Sequence, residues 1–520
     1  MVRPKAGNKG LLSNKNTWRL LFGVVLLMLT ICLIKPWFQN DTYYVIKLGE
    51  QILDNGIDLS DHWAWSAQLT NTYPHFLLNI IFGVIFRAFG LTGIYTFVLA
   101  AGYAFALSLY YMMEKVYDNA VSEKGTSLYP VVGMIVCVVV ITVFPTFISA
   151  RSQVLSYPLW LWEAWFIIRF LNTAHKRYAV GIIVIAWLCA LIHATAWYFT
   201  FILFIPFFAT IYLTRLGKFL SSRESSFGSV LQTDRLILSN DKECKNAKWL
   251  WIVMLLSYAT GLLTPTLLCY TSIFKASSGA TVKYISEHQP LVLADMKYVL
   301  VSLLVLIALF VASKAKCRLD LLFLFIGTFV MSASSKRHVG LLVFIGWYAV
   351  FYLLFSALQT IPSDFRERIS TTVIPVLTTL VLAVWGFTCN NITDFCYYDG
   401  AFVCDDAIDY LEENYDVQDL RLFNDYSYGA YMLFRDVPVF IDSRVNEYTK
   451  EYDPTLERDV LNDYLSVALL QDDWREVIEY YDFDGYYIPK DSALYEILLQ
   501  DPDVEPVWEN DSMVIFMTER

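Results

Sequence analysis

The run Leu20-Leu-Phe-Gly-Val-Val-Leu-Leu-Met-Leu-Thr-Ile-Cys-Leu-Ile34 decides the class of this protein. Arg3, Lys5, Lys9, Lys15 and Arg19 precede it, and Lys35-Pro36-Trp37 follows it where a signal peptide would carry small residues. It therefore reads as an uncleaved first membrane span with a cytoplasmic N-terminus. The rest of the chain agrees. Of 520 residues, 56% are apolar and 17% charged, against roughly 25% charged in a soluble domain. Similar apolar runs recur near 75–89, 91–113, 128–148, 153–171, 178–192, 195–214, 249–272, 296–313, 319–334, 338–358 and 371–390. The pattern excludes a soluble enzyme, a disordered chain and a coiled coil.

Positive charge orients the runs. The basic links are His175-Lys176-Arg177, the stretch 215–248, Lys314-Ala-Lys316-Cys-Arg318, and Arg366-Glu-Arg368. All four share the cytoplasmic side only if one early run does not cross. The run 75–89 is the weakest: it is shorter than the ~20 residues a spanning helix needs, starts at Pro74-His75 and contains Arg87. It is expected to be interfacial or re-entrant. The expected fold is thus an α-helical polytopic membrane domain over 1–390 with about 11 transmembrane helices. On its outer side lie the first loop 36–74, 149–152, the bend at His193, 273–296 and the turn Lys336-Arg337-His338.

Residues 391–520 hold 32 acids and 8 bases, leaving 18 acids and 31 bases for the membrane body. This segment is expected to be a small soluble α/β domain on the extracytoplasmic side. Helices are predicted at 405–415 and 474–481, strands at 420–424, 437–442 and 485–489, and a hairpin over 505–517 turning at Asn510-Asp511. No nucleic-acid patch appears, because the bases are dispersed through short loops. Cysteines within apolar runs, such as Cys32, Cys137, Cys189 and Cys269, read as small hydrophobes. Cys396 and Cys404 are close enough to pair or to stay free.

Several polar residues border the apolar runs, where charge is costly and tends to mark a site. Asp41 directly follows the first span and reads either as a partly desolvated general base or as a solvated loop acid. Glu50, Asp54, Asp58 and Asp61 lie in a more polar stretch and read as solvated. Arg151 offers a guanidinium fork for phosphate oxygens, or snorkels to the interface. Arg337 and His338 make a second cationic turn. His193 reads as a hydrogen-bonded packing residue, and Glu287-His288 either binds a substrate hydroxyl or faces water. No ionisable group is expected deep within a span, and no metal-ligand spacing is present.

Short motifs add a resemblance. Asp41, Asp61-His-Trp-Ala-Trp-Ser66 and Tyr73-Pro-His75-Phe-Leu77 lie in and just after the first loop. Ala150-Arg151-Ser152-Gln153, Leu191-Ile-His193-Ala194, Glu287-His288 and Arg337-His338 stand at later turns. The tail carries Asn424-Asp-Tyr426-Ser-Tyr-Gly429-Ala-Tyr431 and Phe440-Ile-Asp442-Ser-Arg444. Together these resemble the GT-C superfamily of polyprenyl-phosphate-dependent glycosyltransferases, and within it a bacterial branch of multi-span proteins. Ser152, Ala194 and His288 depart from that branch's usual Pro, Gly and Trp.

The resemblance implies Asp41 as catalytic base. It implies Arg151, Gln153, His193, Glu287, Arg337 and His338 around a donor phosphate. Asn424, Tyr426, Gly429, Asp442 and Arg444 form its tail signature, with Asp442 and Arg444 either reaching the membrane site or pairing inside the tail. It also implies a polyprenyl-phosphate-linked sugar donor held by the lipid bilayer, an extracytoplasmic acceptor, and a divalent metal in some members. A transporter or flippase, and a non-catalytic scaffold whose tail binds a partner, are the alternatives.

Overall fold

A computed structural model describes residues 15–121, 128–221, 235–265, 267, 289–292, 296–312, 316–359, 362–380 and 405–519. Glu287, His288, Cys396 and Cys404 lie outside the described residues, as does the end of the run 371–390.

Helix α1 (Lys15–Leu33) follows the predicted first span. Its Trp18, Phe22, Val25, Leu26 and Leu29 are buried, while Leu20, Val24 and Ile31 are exposed. Such one-sided burial with an apolar outer face is what a helix at a bilayer boundary requires. Cys32, expected to be a simple hydrophobe, is instead disulfide-bonded. Its place in the last turn of α1, beside a polar loop, differs from that of mid-helix Cys137; Cys137 and Cys189 are both buried and free.

Helix α2 (Asn40–Asn55) buries Tyr43, Tyr44, Val45, Ile46 and Leu48. It crosses the start of α3 (Phe76–Ala120) at two glycines. A Cβ on Gly49 would fall 2.0 Å from the Asn79 carbonyl oxygen, and one on Gly83 2.7 Å from the Gly49 carbonyl carbon. Only glycine permits this backbone approach. Helix α3 breaks at Gly90, whose φ of 61° and ψ of −158° are non-helical. The break divides the helix into a short leg, 76–89, packed on α2 and a long leg from 91 onward.

The remaining helices of the body are α4 (Tyr129–Phe147), α5 (Gln153–Thr173), α6 (Lys176–Ile192), α7 (Ala194–Ile202), α8 (Ile205–Ser221), α9 (Asp241–Gly261), α10 (Lys297–Ala312), α11 (Leu319–Ser334) and α12 (Tyr348–Leu358). Among the described residues five stretches are long and apolar enough to cross a membrane: 15–33, 76–120, 129–147, 194–220 and 336–358. Shorter apolar helices cover 299–311 and 319–334.

Hydrogen bonds sort the turns into two faces. On one, Asn246 Nδ2 donates to the Leu171 carbonyl at 2.7 Å, Gln359 Nε2 to the Ala120 carbonyl at 2.7 Å, and Arg318 pairs with Asp320 (2.6 Å) and Glu243 (3.5 Å). Strands β1 (Leu236–Ile237) and β2 (Cys317–Arg318) pair there too. The described stretches 235–248 and 316–318 of the basic links thus gather with the turn after Leu171. On the other face the Thr42 hydroxyl donates to the Ala150 carbonyl (3.0 Å), Ala194 N–H to the Pro74 carbonyl (2.9 Å) and Lys336 N–H to the Gln289 carbonyl (3.1 Å).

Glu163 corrects the expectation that no ionisable group lies deep in a span. It sits within α5, is fully buried, and neither carboxylate oxygen has a hydrogen-bond partner. The apolar residues around it in sequence concealed it. The cost of burying a charge there is avoided if the carboxyl is protonated.

The tail folds as helices on a four-stranded sheet. Strands β3 (Leu422–Asn424), β4 (Gly485–Pro489), β5 (Val504–Glu509) and β6 (Met513–Thr518) lie in the order β3-β4-β6-β5. Pair β3–β4 is parallel and the other pairs antiparallel. The predicted helices 405–415 and 474–481 and the hairpin are present; the Asn510 side chain accepts from Ser512 and Met513 N–H in its turn. The predicted strand 437–442 is not one. Pro438 has no N–H to give a ladder, and the segment makes a single parallel bridge, Val439 to Ala64 of the first loop.

Candidate active site

Four turns on the second face converge. Gln39 precedes α2, so Asp41 falls in that helix's first turn, where the helix dipole favours a carboxylate. Arg151 lies just before α5 and places Nη2 2.7 Å from Asp41 Oδ2. Residues 41 and 151, separated by two membrane helices in sequence, therefore form one ion pair. Thr42, held on the Ala150 carbonyl, fixes the register between the two turns.

Behind this pair stand two imidazoles. His75 precedes α3 and His193 precedes α7, with ring centroids 4.5 Å apart and planes at 65°. Pro74 and Ala194, their chain neighbours, share a backbone hydrogen bond, which locks the rings in place. Burial brings His75 down to about 4, with Asp41 acting in the opposite sense and Arg337 and Arg151 adding to the fall. Burial likewise pushes His193 well below the usual imidazole range, assisted by His75, Arg337 and Arg151. Both rings are neutral near pH 7.

Beside His193 a chamber of about 340 Å³ opens. Ser152, Gln153 and Ser156 line it from the start of α5, His193 and Thr195 from the start of α7, and Arg337 and His338 from a single 3₁₀ turn, Lys336–His338. Tyr157, Trp160 and Phe199 provide aromatic walls. Arg337 has no hydrogen-bond or ion-pair partner among the described residues, so its guanidinium is a cation available to an anionic guest. Such a mixture of polar groups on apolar walls suits a small ligand with one charged end.

Of the residues singled out from sequence, Gln153, His193, Arg337 and His338 line the chamber, and the Asp41–Arg151 pair flanks its histidine wall. Glu287 lies outside the described residues. The tail signature stands elsewhere. Asn424 is fully buried; its amide donates to the Ile441 carbonyl (2.8 Å) and accepts from Phe440 N–H (2.8 Å). Gly429 faces the same segment, since a Cβ there would lie 2.0 Å from the Ile441 oxygen. Tyr426 opens helix α15 of the tail (Tyr426–Phe434, counting Ser363–Arg368 as α13 and Asp405–Asn414 as α14). Its carbonyl accepts from Asn40 Nδ2 at 3.2 Å, one residue from Asp41.

Asp442 and Arg444 pair with each other, Nη2 to Oδ2 at 2.6 Å, with Tyr448 donating to the same carboxylate oxygen at 2.6 Å. Arg444 also reaches the first loop, through Asp61 and through Asn71 Oδ1 at 3.0 Å. Asp61, expected to be a solvated acid, has a side chain only 1% exposed. It accepts from Trp63 and Ala64 N–H as well, so every oxygen lost to water is repaid by a donor.

Sequence reasoning did not single out His75 or Thr195 as site residues. His75 stands in a quoted motif, so that signal was present. Thr195 carries no signal: a threonine two residues after a histidine gains meaning only when the backbone turns.

No family model and no curated protein matches this chain. Two solved structures share its architecture. One is the archaeal oligosaccharyltransferase AglB from Archaeoglobus fulgidus in complex with an inhibitory peptide and a dolichol-phosphate, with TM-score 0.56, 11% identity, and 91% of this chain and 69% of that chain covered. The other is the Archaeoglobus fulgidus oligosaccharyltransferase tethered with an acceptor peptide containing the NVT sequon via a disulfide bond, with TM-score 0.55, 11% identity and the same coverages. The likeness extends over membrane body and tail and establishes the fold as GT-C-like.

Proposed function

We propose that the chain is a multi-pass membrane glycosyltransferase that moves a sugar from a polyprenyl-phosphate donor to an extracytoplasmic acceptor. The observation carrying this reading is the chamber with the available Arg337 guanidinium, set beside the Asp41–Arg151 pair on the face that also holds the tail. The lipid chain of the donor stays in hydrocarbon while its phosphate meets Arg337. Asp41 takes the proton from an acceptor hydroxyl or amine as that atom attacks the anomeric carbon. The bond from that carbon to the phosphate oxygen breaks, and Arg337 stabilises the negative charge that collects on the leaving phosphate. Arg151 holds Asp41 aimed through their ion pair, and is the second phosphate ligand once substrate enters.

The chamber lining holds no carboxylate among the described residues. Among the described residues, no three His, Cys, Asp or Glu side chains gather there as a metal site either. A divalent ion that prefers several oxygen ligands does not fit this described donor set.

Full-length protein in lipid nanodiscs, given a panel of radiolabelled polyprenyl-phosphate hexoses and pentoses with a cell-envelope acceptor extract, is expected to label the acceptor fraction. Asp41→Asn should lower the rate by roughly 100-fold or more, the usual worth of a positioned acid–base group. Transfer from none of the donors, or an unimpaired Asp41→Asn variant, would refute the reading.

A further inference from the structure

The hydrogen bonds of His193 say more than its position. Its Nδ1 accepts from the backbone N–H of Thr195 at 3.1 Å. A backbone N–H can only donate. Nδ1 must therefore carry a lone pair, and the Thr195 hydroxyl, also in hydrogen-bond contact with Nδ1, must turn its proton toward it. A neutral ring with a lone pair on Nδ1 bears its proton on Nε2. The charged groups around the ring are Arg337 and Arg151, with His75 packed against it, and all three oppose a second proton. Nε2 makes no hydrogen bond to the described residues, and the ring lines the chamber.

His338 provides an internal contrast. Its Nδ1 lies 3.2 Å from the Met331 carbonyl oxygen, which can only accept, so there the proton sits on Nδ1. Two imidazoles on the walls of one chamber thus use Nδ1 in opposite senses, His193 accepting and His338 donating, each set by a backbone group that has no choice of role.

We propose that His193 serves the chamber as a neutral hydrogen-bond donor through Nε2–H, aimed with Arg337 at the oxygens of a phosphate monoester, and that Thr195 is the positioning residue that sets its tautomer. His193 is then neither the proton-accepting base nor a second cation. The inference rests on the proposed phosphate-binding role of the chamber and adds how one residue of it works. A donor that needs no protonation keeps its hydrogen bond across the neutral pH range, where a histidine acting as a cation would lose it.

The test uses full-length protein in nanodiscs and farnesyl phosphate as probe, with farnesol and inorganic phosphate as comparison arms. Glutamine places an N–H₂ donor near the position of Nε2. His193→Gln should keep farnesyl phosphate affinity within about threefold, while His193→Ala and Arg337→Gln each lose about 10-fold or more, the range for a hydrogen bond to a charged group. Inorganic phosphate should compete weakly and farnesol not at all. Competition by farnesol as strong as by farnesyl phosphate would overturn the assignment of the anion.

Nitrogen-15 spectra of histidine-labelled protein read the tautomer without any ligand. The signal that His193→Gln removes should be that of an Nε2–H ring. Thr195→Val should shift it toward a tautomer mixture, and Thr195→Ser should restore it. An Nδ1–H signal at His193, or a His193→Gln variant as weak as His193→Ala, overturns the inference while leaving the chamber's role intact. A parent chain that binds no farnesyl phosphate overturns both.

Discussion

At the scale of single residues, the tail's Arg444 shows how much depends on one buried cation. It faces Asp442 and Tyr448 from the tail and Asp61 from the first loop, with Glu447 at 3.7 Å. Removing it by Arg444→Met would leave Asp61 and Asp442 buried and uncompensated. The expected loss is about 3–5 kcal/mol, visible as a lower unfolding temperature of the purified chain and as poor membrane yield. Glu447 shares this cluster, accepting from Thr72 Oγ1 at 2.7 Å. Burial raises its carboxyl to about 7 from an ordinary 4.5, against the pull of Arg444 and the Thr72 hydrogen bond and with Asp61 and Asp442 adding to the rise.

The sign follows from proton counts. Between about 4.5 and 7 the unfolded chain has released this proton and the folded chain keeps it, so stability falls as pH rises through that window. Glu447→Gln should flatten this part of the stability–pH curve and gain on the order of 2–3 kcal/mol at pH 8, measured by thermal unfolding at several pH values. An unchanged slope would show that another group titrates there. Only the Asp442–Arg444 half of this cluster was legible in sequence. Asp61 looks like any loop acid, and Arg444 lies 383 residues away from it. The motif Phe440-Ile-Asp442-Ser-Arg444 marked the tail half of the pair, but short spacing says nothing about a distant partner.

At the scale of elements, the sequence was most informative where periodicity and punctuation agree. The described apolar runs are helical, and the hairpin formed around Asn510, whose side chain holds its turn. It was least informative where an element depends on another. The segment 437–442 has strand composition, yet Asn424 and the first loop occupy the backbone groups a ladder would use. Gly90 is the intermediate case: the shortness of the run before it predicted a separate leg, but only the backbone shows the break. Its φ of 61° and ψ of −158° lie in a region reserved for glycine. Gly90→Ala meets no neighbouring atom, so its cost is backbone strain alone, about 1–3 kcal/mol. It should show as a lowered unfolding temperature, whereas a residue larger than Ala at Gly49 or Gly83 should separate α2 from α3 and displace Asp41.

At the scale of the whole molecule, the two faces identified by hydrogen bonding make the topology testable. Cysteines introduced at exposed Leu59 in the first loop and Glu496 in the tail should react with an impermeant thiol reagent from the same side of the membrane. A cysteine at Lys245 should react only from the other. Labelling of Leu59 and Lys245 positions from one side would dismantle the site, since the loop before His75 would then start from the wrong face. The convergence of Asp41, Arg151, His193 and Arg337 was foreseeable in outline from charge and span parity, because those turns had to share a face. Their closeness, the pairing of Asp41 with Arg151 and the edge-to-face contact of His75 with His193 were not, because helix tilt and packing leave no trace in a linear pattern.

The lock between Asp61 and Arg444 also has a consequence for biosynthesis. At translation rates of about 5–20 residues per second, the arginine emerges roughly 20–75 seconds after the aspartate it will neutralise. Throughout that interval the early loop must remain hydrated and unburied while later helices are still entering the bilayer. Closure of the first loop onto the tail is therefore a late event, timed by the arrival of the last hundred residues, and a ribosome stalled before them leaves a membrane body whose first loop has nothing to close upon.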